Sequence, residues 1–170
     1  MTLSRKNTIY GILEKDHKAT FENINHFYAL LEKLRYEGKS ALGRNLAEAN
    51  KAVAFFSREI ISHMREEEKV LFPFIRTHIP RLEPMVCLLL SEHDDFRHCL
   101  KGLKKILQVC RNRHSMDAVH TLCERGTYLV CLLRSHMWCE SHSLYKAADN
   151  ELKPDEKKRL VHMISDRHAN

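Results

Sequence analysis

Apolar residues recur at helical spacing along four long segments of the chain. The first stripe runs Ile9, Leu13, His17, Phe21, Ile24, Tyr28, Leu31 and stops at Gly38, and the GKSALG stretch reads as a turn. The second runs Phe56, Ile60, His63, Glu67, Leu71, Phe74 and ends before Pro80, with Pro73 as an earlier kink point. The third runs Val86, Leu89, His93, Phe96, Leu100, Leu103, Leu107 and is broken by RNRHSMD. The fourth runs Leu122, Leu129, Leu133, His136, Glu140, Leu144, Ala147. Pro154 followed by Asp155 and Glu156 reads as the start of a short fifth helix that packs Leu160 and Ile164 inward. Nothing alternates at period two. The pattern predicts an all-α, up-down-up-down four-helix bundle over residues 1–152, with residues 153–170 as a short C-terminal helix on it.

Six polar residues interrupt the apolar stripes: His17, His63, Glu67, His93, His136 and Glu140. A buried glutamate is costly unless it is paired or bound to metal. In an antiparallel pair, residues equally far from the connecting turn share a level. His17 and His63 each lie 23 residues from a turn near 40; His63 and His93 lie 16 and 14 from one near 79; His93 and His136 lie 21 and 22 from one near 114. The mismatch never exceeds about two residues, or ~3 Å at ~1.5 Å per residue. The four histidines are therefore expected at one level of the core. His63 with Glu67, and His136 with Glu140, stand at i and i+4, so each pair presents a nitrogen and a carboxylate on one face. The halves echo each other, His17 then HMREE 46 residues on, His93 then HMWCE 43 residues on. Four imidazoles and two carboxylates suit iron, and less specifically manganese or zinc. Glu67 and Glu140 come from different helices, so both are placed to bridge two metals.

The remaining histidines are expected on the surface or in loops. His26 is about half a turn from His17 and His98 about 140° from His93, at ~100° per residue. His78, His114, His120, His142, His162 and His168 fall out of register with the six. Tyr128, Trp138 and Tyr145 are candidates to line the site, with helix packing as the simpler assignment. Glu14, three residues before His17, reads as a hydrogen-bonding partner for it.

Composition narrows the setting. Only five glycines and four prolines punctuate 170 residues, which fits long helices. The first twenty residues hold no apolar signal stretch, and no run approaches the ~18 residues of a membrane span, so a cytoplasmic location is expected. The formal charge of +6 raises nucleic-acid binding, but lysines and arginines are mixed with acids throughout, so neither a nucleic-acid nor a membrane surface is expected. Cys87, Cys99, Cys110, Cys123, Cys131 and Cys139 form no CxxC pair and read as buried free thiols.

The residues resemble the hemerythrin-like, or HHE cation-binding, family over roughly 9–150. The marks are Asp16-His17, HMREEEKVLFP from His63 to Pro73, Glu92-His93, and HMWCE from His136. The resemblance implies a non-haem di-iron centre, oxygen-bridged and carboxylate-bridged by Glu67 and Glu140. By motif its ligands are His17, His63, Glu67, His93, His136 and Glu140. Ferritin-like bundles, the nearest alternative, use Glu-x-x-His on two helices; Glu14–His17 has that spacing, and no second copy exists. Oxygen-carrying hemerythrins use HxxxH in the third helix and HxxxxD in the fourth. Here Arg97 stands at +4 from His93 and Ser141 at +5 from His136. The implied function is binding or sensing of O2 or NO at the di-iron centre. The alternative is a stress-response protein acting on NO or peroxide or donating iron for iron–sulfur repair, in which case it is an oxidoreductase. Iron–sulfur repair proteins often carry a cysteine-containing N-terminal region; the sixteen residues before His17 hold no cysteine, so repair is the less expected role.

Overall fold

The computed structural model describes residues 9–113 and 115–168. The side chains of Ile9, Leu13, Glu14 and His168, and all of His114, lie outside the described set. Among the described residues the chain is all-α, without strands. We number the long helical rods α1 (Ile9–Tyr36), α2 (39–78), α3 (Glu83–Arg113), α4 (116–151) and α5 (Pro154–His168). No described helix is long and apolar enough to cross a membrane.

One boundary differs from the sequence expectation. GKSALG is not a turn: the chain reverses at Glu37 and Gly38, and α2 already begins at Lys39. Gly38 has φ 74°, a left-handed conformation that costs glycine little, so one residue suffices to turn the chain. The earlier turn adds residues to α2 ahead of His63. A wide π-helical segment at Phe56–Ile60, which winds more residues into each turn, takes up part of that excess. The rod ends at His78, before Pro80 as expected, and runs on through Pro73. The π-helical segment Glu67–Leu71 precedes it, and Pro73 sits in the first turn of the α-helical segment Phe72–His78, where its missing N–H is tolerated. The start of α5 follows expectation, with Pro154 in its first turn and the Glu156 carboxylate accepting from the Lys153 amide at 2.8 Å.

The chain forms two compact units. The first comprises the described parts of Met1–Ala19 with Ser62–Glu92 and Ser135–Asn170. Its core joins Leu71, Ile75, Val86 and Leu89 to Leu144 and Ala148, and Leu160 and Ile164 of α5 belong to the same cluster. Arg81 pairs with Glu151 in this unit, and the Lys157 ammonium donates to the Asp149 carbonyl. The second unit comprises Thr20–Ile61 and His93–Arg134. Phe27 and Phe56 meet edge to face at 5.3 Å, both fully buried. Gly126 lies against Leu31: a Cβ there would fall 2.7 Å from the end of that side chain, so a larger residue requires Leu31 to shift. Phe21, placed on the inward stripe by its spacing, is 46% exposed. Its ring and that of Tyr28 receive the Arg134 guanidinium at 6.0 and 5.4 Å.

The cysteines also depart from expectation. All six are free, but only Cys110 and Cys123 are buried; Cys87 and Cys131 are exposed.

Candidate metal centre

Five of the six expected ligand residues lie in the first unit, on α1, α2 and α4. His17 is buried, His63 is the most exposed of the five at 16% of its side chain, and Glu67, His136 and Glu140 are buried. The sixth, His93, is fully buried on α3, one residue beyond Glu92.

The donor atoms converge. His17 Nε2 lies 3.2 Å from His63 Nε2 and 3.3 Å from Glu140 Oε2. His63 Nε2 lies 3.4 Å from Glu67 Oε1, and His136 Nε2 lies 3.1 Å from Glu140 Oε1. One donor atom from each of His17, His63, Glu67 and Glu140 falls within 4.8 Å of the others, and the same holds for Glu67, His136 and Glu140. Both carboxylates thus belong to both groups. Such donor sets can hold metal. The fit is supported by Glu140, whose two oxygens are fully buried and receive no hydrogen bond, leaving only the imidazole ion pairs and a cation to compensate them.

Each HxxxE pair is followed by the same backbone device. A π-helical segment begins at Glu67 and another at Glu140, so each carboxylate opens a widened turn. The repeat of the motif was visible in the sequence; the widened turns were not, because helical spacing reads α and π turns alike over five residues.

Outer partners orient the rings. His136 Nδ1 donates to Glu92 Oε2 at 2.8 Å, leaving Nε2 aimed inward. His17 Nδ1 meets the Ser141 hydroxyl at 3.1 Å. Glu92 and Ser141 were not singled out for these roles by spacing. Tyr145 was assigned to packing, yet it is fully buried at the centre and donates to Glu67 Oε1 at 2.6 Å. Its position, five residues beyond Glu140 and inside the widened turn's exit, carries no sequence signal of its own. Tyr128 and Trp138 are 56% and 63% exposed and do not line the centre. His26, His98, His120, His142 and His162 are exposed, as expected. His78 is half-buried and stacks on Phe74.

Without metal the centre stores charge on its own residues. Burial disfavours protonated His136, but the Glu140 and Glu92 carboxylates outweigh it and push the imidazole up to about 10. Burial likewise raises Glu140, yet His136 and His17 outweigh it and hold the carboxyl well below its usual range. Burial, with the Glu140 and Glu67 carboxylates, pushes the Tyr145 phenol well up. The charged His136 therefore stabilises the metal-free fold fully below about pH 6.5, and that contribution is lost as pH rises through about 10. Metal binding at Nε2 must displace this proton. We predict that apparent ferrous affinity, measured anaerobically by titration, strengthens between about pH 6.5 and about pH 8, by up to ~10-fold per unit for one displaced proton. A flat dependence would show that His136 holds no proton in the metal-free chain.

The family model described as hemerythrin HHE cation binding domain matches residues 8–148. Among curated proteins none matches the chain.

Proposed function

This chain belongs to the hemerythrin HHE cation-binding family, and on that premise we propose that it is a non-haem di-iron protein that reacts with or senses O2 or NO. The ligands in this reading are His17, His63, Glu67, His93, His136 and Glu140, with Glu67 and Glu140 each shared between two irons. The single observation that carries it is the pair of buried carboxylates common to both donor groups, each within ion-pair distance of inward imidazoles. Two irons at this centre would supply ferrous positions that a diatomic molecule can enter. The protein's part is to hold imidazoles and carboxylates in a dry core, to aim His136 through Glu92, and to leave His63 at the most exposed edge.

The chain offers no fifth inward histidine among the described residues. Arg97, at the +4 position from His93, is ion-paired with Asp94 at 3.1 Å, and a guanidinium does not bind metal. His98 is exposed and its Nδ1 donates to the Asp94 carbonyl at 2.8 Å. An even division of histidines leaves replaceable positions on both irons, which favours reaction over storage of O2. Anaerobically reduced protein mixed with air is therefore expected to pass to the oxidised spectrum and stay there after degassing, while NO binds the reduced form. An O2 adduct that persists for hours and reverts on degassing would contradict this reading. Turnover of peroxide or NO with an added reductant would move the protein to the enzymatic alternative.

A further inference from the structure

The repeated H…HxxxE pattern accounts for six donor residues, but the structure places one more oxygen beside two of them. Tyr145 is fully buried, its hydroxyl lying 2.6 Å from Glu67 Oε1 and 3.3 Å from His17 Nε2. Donor atoms held about 2.0–2.2 Å from one metal, at angles near 90–110°, stand roughly 3.0–3.5 Å apart. The His17–His63, His17–Glu140 and His63–Glu67 separations of 3.2, 3.3 and 3.4 Å lie in that range. The Tyr145–His17 separation of 3.3 Å does as well. The Tyr145 oxygen is thus spaced as a ligand of the same metal position and not as a bystander behind it. Only its contact with Glu67 is shorter, because there the metal-free phenol donates a hydrogen bond.

We propose that Tyr145 is an additional iron ligand at the position formed by His17, His63 and Glu67, bound as phenolate to ferric iron. This rests on the di-iron reading above. On ligation the phenol O–H bond breaks, an iron–oxygen bond forms, and the proton leaves to solvent water; no electron moves. An anionic oxygen is a hard donor and favours the ferric over the ferrous ion. Tyr145 would then make the two irons inequivalent, since its hydroxyl lies beside His17 as well as Glu67.

The test is resonance Raman and visible absorption of the iron-loaded, oxidised protein, with iron content measured on each sample. The wild-type protein is expected to show enhanced phenolate ring modes under a visible charge-transfer band. Tyr145→Phe is expected to lose both, and Tyr128→Phe, at an exposed ring, to keep both. Should Tyr145→Phe fail to fold, ring-deuterated tyrosine in the wild-type chain shifts the modes, and loss of that shift pattern in Tyr145→His serves as the second variant. Iron-loaded protein without phenolate modes, or with modes unchanged in a folded Tyr145 variant, overturns this inference alone. A chain that takes up no iron overturns it together with the di-iron reading.

Discussion

Stripping the metal is expected to lower the melting temperature by on the order of 10 °C. A ligand that binds only the native state at ~1,000 times its Kd adds about 4 kcal/mol, and ~1 kcal/mol moves a domain of this size by ~2–4 °C. The local cause is in the core. Glu67 and Glu140 are buried, and neither oxygen of Glu140 receives a hydrogen bond. From sequence, loss of metal is expected to drive a proton onto at least one of the two glutamates, since like charges in a low dielectric resist ionisation. At Glu140, His136 and His17 outweigh burial and hold the carboxyl well below its usual range. The metal-free centre therefore pairs charge within itself, with the proton on His136. That pairing offsets part of the cost of burying the carboxylates, and metal bound to the native chain would add its binding energy to it. Calorimetry on matched metal-free and iron-loaded samples reads the difference directly. Equal melting temperatures would mean that the buried cluster does not hold metal.

The legible and illegible parts of this fold divide along physical lines. The four rods could be read because burial imposes a 3.6-residue period, and His17, His63, Glu67, His93, His136 and Glu140 stood out as polar residues inside it. Their burial is found in the structure, with His63 the partial exception. The turn at Gly38 was misplaced because the residues after it, Lys39–Gly43, contain two turn-prone types on a helix that tertiary packing carries through; Leu42 is buried. Phe21 was misplaced because periodicity fixes a face but not its edges, and there Arg134 covers the ring instead of the core. The four cysteines that are not buried were assigned from residue-type preference alone, which position overrides. Glu92, Ser141 and Tyr145 could not be assigned their roles, because each acts across helices through contacts that register along one helix does not encode.

Metal stoichiometry tests most directly whether His17, His63, Glu67, His93, His136 and Glu140 hold two irons. Protein produced with iron in excess, or reloaded anaerobically with ferrous iron, is expected to bind two irons per chain. His136→Ala removes the imidazole that sits 3.1 Å from the shared Glu140 carboxylate and leaves Glu92 without its inward-aimed partner. Because both carboxylates serve both positions, its loss is expected to take most of the iron from the chain and not merely one half of it. His17→Ala removes a ring within 3.3 Å of His63 and Glu140 and should act the same way. His26→Ala, on the exposed side of α1, is expected to keep two irons. Two irons in the wild type, nearly none in His136→Ala and two in His26→Ala is the predicted result. A single zinc with no iron in the wild type, or two irons retained by His136→Ala, would contradict the account.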